Sequence, residues 1–235
     1  MSGALGAQPA STASAQPARG ADLAVTLRAA ITIDRLGPQY AAYWGLMAQG
    51  SLPLAGMSQL LVEVSPSNLV FELGDVAFKR SPVRSAGMLV ERDFGLLELH
   101  ADRPDAVEEA KEAIVASLQR RSFAEVEPRM VSRQRLARIT PDHSHLFNKV
   151  RRGSWALPDE SLFIVEVSPA AYVYLLANEI EKASACRLVR VAGTGLFGRL
   201  IVSGTEAETE EAERVVDRVM AALRGGSVDG RTRRS

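Results

Sequence analysis

The pentapeptide Val-Glu-Val-Ser-Pro occurs twice, at Val62–Pro66 and Val165–Pro169, and the 103-residue offset between the two copies keeps matching residues without a gap. It superposes Pro38 on Pro141, Gly50 on Gly153, Leu54 on Leu157, Leu73 on Leu176, Lys79 on Lys182, Ser81 on Ser184, Arg84 on Arg187, and Phe94-Gly95 on Phe197-Gly198. A period near 100 residues is too long for a solenoid unit or a propeller blade and denotes a duplicated domain. The 235 residues hold two domains of ordinary size. The expected division is 23–122 for the first copy and 123–224 for the second, with the boundary near Phe123–Pro128. Residues 1–22 carry almost no large apolar side chain and cannot offset their ordering entropy, so they are expected to be a disordered tail. Residues 225–235, polar, Gly-rich and basic, are expected to be a flexible tail.

Within the first copy, Val25–Ile33 is β-rich and Pro38–Met47 has the form of a short helix opened by proline. The run GMSQLLVEV reads as a buried strand. Ser65-Pro66 has the form of a helix start, and Leu69, Leu73, Val76 and Ala77 then recur at helical spacing down to Lys79. Ser85–Glu91 and Leu96–His100 are strand-like, joined by a tight Arg92-Asp93-Phe94-Gly95 link, and a second helix spans Pro104–Leu118. Each copy therefore reads β-α-β-α-β-β-α, an α+β, ferredoxin-like layer architecture. Moving the opening strand and short helix to the end restores β-α-β-β-α-β, so each copy is circularly permuted.

Lys plus Arg and Asp plus Glu each number 28, so no net field draws the chain to nucleic acid or an anionic membrane. No secretory signal and no membrane-spanning run is legible, which points to a cytosolic protein. Cys186 is the sole cysteine, so neither an intrachain disulfide nor a metal site built from the cysteines of one chain can form, and no metal or cofactor is expected. Gly193-Thr194-Gly195-Leu196-Phe197-Gly198 satisfies G-x-G-x-x-G, but phosphate binding needs a helix to follow, whereas Arg199–Ser203 continues as a strand. A Gly-rich hairpin is the better reading. Asp142, His143 and His145 lie at a helix start and read as capping or surface residues, as does His100 at a strand end. No serine or cysteine comes with a recognisable base, so no catalytic site is expected. A tandem ferredoxin-like sensor of small ligands and a nucleotide-using enzyme are the competing readings.

The runs VEVSPSNLVFELGDVAFKRS and VERDFGLLELHADRPDAVEEA together resemble a bacterial microcompartment domain, and LFIVEVSPAAYVYLLANEIEKAS with GLFGRLIVSGTEAE resembles a second copy. The resemblance spans about residues 24–224. It implies a structural shell protein of the permuted, double-layered tandem type: a pseudo-hexameric homotrimer, two of which stack, tiling a microcompartment shell in the bacterial cytoplasm beside other hexameric and pentameric shell proteins. A closed trimer of a duplicated chain has the pseudo-sixfold symmetry that a hexamer lattice accepts.

The resemblance also implies a gated central pore for small metabolites. Glu91 and Arg92 fall on the family's gating pair, followed by Asp93, where an apolar residue is more usual, then Phe94 and Gly95; Gly193, Thr194, Gly195, Leu196, Phe197 and Gly198 form the matching loop of the second copy. Lys79 and Lys182, two of only four lysines in an arginine-rich chain, fall on the position that meets the neighbouring tile's backbone carbonyls. Some tandem shell proteins hold an iron–sulfur cluster on the threefold axis through such a cysteine, but Cys186 precedes the axial hairpin and reads as structural.

Overall fold

The computed structural model describes residues 24–224, so both expected tails lie outside the described residues. The first copy runs β1 (Val25–Ile33), α1 (Pro38–Gly45), β2 (Ser58–Ser65), α2 (Leu69–Arg80), β3 (Arg84–Glu91), β4 (Phe94–Ala101) and α3 (Pro104–Gln119). A three-residue strand, β5 (Phe123–Glu125), follows. The second copy repeats the order as β6 (Arg129–Leu136), α4 (Pro141–Val150), β7 (Ser161–Ser168), α5 (Tyr172–Ala183), β8 (Arg187–Ala192), β9 (Gly198–Gly204) and α6 (Glu206–Arg224).

The two sheets have the same antiparallel core order, β3-β4-β2-β1 and β8-β9-β7-β6. Even their irregularities repeat at the 103-residue offset: the ladder slips between Leu27 and Ala29 in one copy and between Met130 and Ser132 in the other. The difference is β5, which pairs in parallel with β1, Val25 opposite Phe123, and adds a fifth strand to the first sheet.

Every residue of β2 but the last is buried, because both faces of its sheet are covered. Leu60, Val62 and Val64 point to a core shared with Leu73 of α2 and Val107 and Ile114 of α3. The opposite face carries Leu61 and Leu96, which join a core built largely by the second copy. Helix α1 makes that junction. Its Tyr40 ring meets Tyr174 of α5 edge-on at 6.4 Å, and Trp44 lies 4.9 Å from the same ring. Tyr43 Oη donates to the Val191 carbonyl at 2.8 Å and accepts from the Val191 amide at 2.9 Å. Side chains of this size each contribute about 1.5–3 kcal/mol on full burial, so α1 binds the two copies into one body.

Two expectations need correction. Ser65-Pro66 does not open a helix: Ser65 is the last residue of β2, held extended opposite Thr26 of β1, and α2 begins at Leu69 with Asn68 at its N-cap. The link between β3 and β4 is also shorter than expected. Phe94 and Gly95 already pair with Glu91 and Val90, leaving a two-residue turn of Arg92 and Asp93, with Arg92 in the left-handed region at φ 51°.

The repeated glycines have a steric cause. A Cβ on Gly95 would overlap the Ser67 carbonyl, and one on Gly198 would overlap the Ala170 carbonyl, the residue 103 positions on from Ser67. Adding a methyl where the obstacle is backbone costs about 1–3 kcal/mol, so Gly95→Ala should lower the urea midpoint by a corresponding amount. Gly45, at the end of α1, has nothing within 4 Å of its Cβ position; Gly45→Ala should stabilise by about 0.5–1 kcal/mol in the same measurement.

Candidate functional site

The two loops singled out by sequence come from different copies, and the fold brings them side by side. The β3–β4 turn presents Glu91, Arg92 and Asp93 to solvent. The β8–β9 loop, residues 193–197, is longer and lies alongside: the Cβ position of Gly195, whose φ of 94° favours glycine, is 3.4 Å from a carboxylate oxygen of Glu91. Gly193 is required for another reason, since a Cβ there would enter the Tyr174 ring. Leu196 and Phe197 point outward and are exposed. Gly198 opens β9 and not a helix, so the glycine-rich run lacks the helix N-terminus that phosphate binding needs.

One buried cation joins both loops. Arg28 of β1, 8% exposed, stacks its guanidinium 3.8 Å from the centre of the Phe94 ring and donates from Nη2 to the Leu196 carbonyl at 3.2 Å. Its Nε donates to Glu63 of β2 at 2.5 Å, and the other Glu63 oxygen accepts from the Ala171 amide at the N-cap of α5, 2.7 Å away. Burial raises the Glu63 carboxyl above its ordinary range, while the Ala171 amide and Arg28 act in the opposite direction. The pair thus spans three segments that touch the loops: β4 through Phe94, the β8–β9 loop through Leu196, and the start of α5. Behind the loops, a cleft of about 550 Å³ opens between Tyr43, Met47, Glu91, Tyr174, Arg190 and Thr194. No group of His, Cys, Asp and Glu among the described residues could hold a metal ion.

Residues 27–123 match the model of the CsoS1D N-terminal domain. The chain is 35% identical over 203 residues to carboxysome shell protein CcmP of Synechococcus elongatus, an alignment covering 86% of this chain and 95% of CcmP. It is 36% identical over 200 residues to carboxysome shell protein CsoS1D of Hydrogenovibrio crunogenus, covering 85% and 98% of the two chains. Among solved structures, it superposes on a fused permuted hexameric shell protein from the RMM microcompartment with a TM-score of 0.81 and 38% identity, covering 85% of this chain and 98% of that one. A double ringed trimeric shell protein of the same microcompartment gives 0.79 at 33% identity, covering 84% and 97%. The chain belongs to the CcmP and CsoS1D family of microcompartment shell proteins.

This shell protein is a structural component of a microcompartment and not an enzyme, as the relatives named above are shell proteins. The comparisons favour that reading over the small-ligand sensor. The other residues marked in the sequence are scattered. Lys79 and Lys182 are both exposed at the ends of α2 and α5; Lys79 Nζ donates to Asp75 at 2.7 Å, whereas Lys182 Nζ donates to Glu179 at 2.9 Å and to the Asp34 carbonyl at 3.0 Å. Asp142, His143 and His145 are exposed on α4, where the cap is Thr140, whose hydroxyl accepts from the His143 amide. His100 departs from the surface reading. It is fully buried in β4, its Nδ1 3.0 Å from Glu98 and its Nε2 3.3 Å from Ser51 Oγ, and Glu98 also accepts from Gln59 and the Ala86 amide. Arg28, Glu63 and this Glu98 cluster escaped sequence reasoning. The only signal was a charge at an inward position of a strand pattern, which becomes readable once the partner strand is known.

Cys186 sits at the far end of β8 from the loop, 1% exposed, and its thiol is pushed up to about 11 by burial, against the opposing Ser184 hydrogen bond. With the thiol protonated at pH 8, Cys186 should resist iodoacetamide in the folded protein and react fully in urea; rapid labelling of the native state would contradict this placement. For the central brace, Arg28→Met removes the charge paired with buried Glu63 and should cost about 3–5 kcal/mol, read as a lowered urea midpoint.

Proposed function

We propose that three copies of this chain close into a pseudo-hexagonal tile of a bacterial microcompartment shell, in the cytoplasm, and that the β3–β4 turn and the β8–β9 loop line a central pore through which small metabolites pass. The observation that carries this reading is the convergence of two loops from different copies on one buried brace, Arg28 with Glu63. A threefold axis beside them would gather three Glu91 and three Arg92 side chains in one ring. Like charges that close repel unless each finds its opposite, so the Glu91-Arg92 pair has two resting arrangements, paired across the bore or swung outward. The cleft behind the loops gives them room to move, and the small side chains at Gly193 and Gly195 leave a wide opening. Two such tiles stack face to face, and Lys79 and Lys182 meet the edges of neighbouring hexameric and pentameric shell proteins. A compact ammonium on a flexible stem suits contact with backbone carbonyls across a seam.

Glu91→Ala and Arg92→Ala should each alter small-metabolite flux through reconstituted sheets while leaving the oligomer intact; unchanged flux in both would reject the gate. Lys79→Ala combined with Lys182→Ala should leave the trimer folded, since surface substitutions rarely change stability by more than about 0.5 kcal/mol. Electron microscopy should then show fewer or smaller sheets than the parent forms, and equal assembly would reject the edge role.

A further inference from the structure

The two loops beside the brace are built differently, and only the first is held by its own strands. Ladder pairing in the first hairpin continues to Glu91 opposite Phe94, so the β3–β4 turn is confined to Arg92 and Asp93. In the second hairpin the ladder stops at Ala192 opposite Arg199, which leaves residues 193–197 outside it. Among the described residues, no backbone–backbone hydrogen bond involves 193–197. The loop is pinned at its two ends by contact. Gly193 lies against the Tyr174 ring and Gly198 against the Ala170 carbonyl, each too close for a Cβ. From Thr194 to Phe197, the one hydrogen bond onto the main chain among the described residues is that from Arg28 Nη2 to the Leu196 carbonyl, at 3.2 Å.

Arginine is suited to that single point of attachment. Its planar fork lets Nε serve Glu63 while Nη2 serves Leu196, and its face rests on the Phe94 ring. Glu63 sets the direction of the fork and is itself fixed by the Ala171 amide. Without the bond from Arg28, the main chain from Thr194 to Phe197 is free to turn between its pinned ends, and Gly195, at φ 94°, takes backbone angles that a side chain would forbid. There is room for the movement, because the cleft of about 550 Å³ is lined by Gly193 and Thr194 together with Leu89, Val90 and Glu91.

We infer that Arg28 is the positioning residue of the β8–β9 loop: it latches the loop through the Leu196 carbonyl, and release of that bond lets the loop turn about Gly193 and Gly195 into the cleft behind it. The mobile backbone of the pore then belongs to the second copy, whereas the charged side chains of the first copy stand on a hairpin that its own ladder fixes. The two parts are coupled, since the Cβ position of Gly195 is 3.4 Å from a Glu91 carboxylate oxygen, and withdrawal of the loop removes the surface beside that carboxylate. Arg28 touches no permeant, being buried beneath the loops. The inference rests on the pore proposed above and adds the residue that sets its shape.

The test uses the full-length protein carrying Arg28→Lys, which keeps a cation beside buried Glu63 but offers a single nitrogen that cannot serve Glu63 and the Leu196 carbonyl in their two directions. A spin label attached through Leu196→Cys reads the loop, and one attached through Asp93→Cys reads the turn; buried Cys186 stays unlabelled. In the Arg28→Lys background the Leu196→Cys label should lose its immobilised component while the Asp93→Cys label keeps its spectrum. A purely structural role for Arg28 would loosen both labels or neither, and either result overturns the latch. If circular dichroism shows Arg28→Lys unfolded, Arg28→Met combined with Glu63→Gln, which leaves no unpaired buried charge, takes its place with the same expectations. Reconstituted sheets of unlabelled Arg28→Lys should pass a larger permeant than the parent passes. A loosened loop with parental flux overturns the control of the pore by this loop if Glu91→Ala or Arg92→Ala still changes flux; parental flux in all three overturns the pore reading itself.

Discussion

Three aromatic side chains on an eight-residue helix set the organisation of the whole molecule. Helix α1 is too short to stand alone, and it belongs by sequence to the first copy, yet it buries Tyr40, Tyr43 and Trp44 against Tyr174, β8 and the sheet between them. That choice makes one core out of two repeats. It fixes the second copy beside the first in a single orientation, and so decides which loops become neighbours. Had α1 folded back over its own helices, the β3–β4 turn and the β8–β9 loop would have no reason to meet.

The brace beneath those loops shows how a buried charge acts in a position of this kind. An ion pair taken out of water is weak support for stability in itself, because desolvation offsets most of its Coulomb attraction. Arg28 and Glu63 are retained with every direction of their geometry in use: an aromatic face, a loop carbonyl, a helix N-cap amide and each other. The pair's effect is to specify position. In the second copy, Val131 stands where Arg28 does in the first, and Glu166 pairs with exposed Arg199 at the surface. The copies have kept the backbone, down to the ladder slips and the steric glycines, while diverging at the buried pair, which only the first copy carries.

Much of this was legible in the sequence because it was written twice. The 103-residue register marked which residues matter to the backbone, and Gly95 with Gly198 proved to be packed against carbonyls that are themselves 103 positions apart. Apart from the three-residue β5, which lies in the stretch read as the domain boundary, element order and type were clear from local periodicity, since a strand or helix with one apolar face announces its own period. The start of α2 was misread because Ser65 has the local chemistry of a helix cap, while its ladder partner Thr26, 39 residues earlier in the chain, holds it in a strand.

The amino-acid sequence by itself therefore determined the duplication, the permuted α+β order and the family, and it singled out the two loops proposed to line a pore, all of which depend on residues near one another in the chain or repeated at a fixed offset. Tertiary structure alone decided the partners of buried charges. Arg28 and Leu196 are 168 residues apart, Glu63 and Ala171 are 108 apart, and His100 takes its contact from Ser51 across the sheet edge. Nothing local distinguishes an arginine that stacks on a buried ring from one that faces water. The distinction depends on which strands lie beside it and whether solvent can reach it, and those are properties of the folded chain.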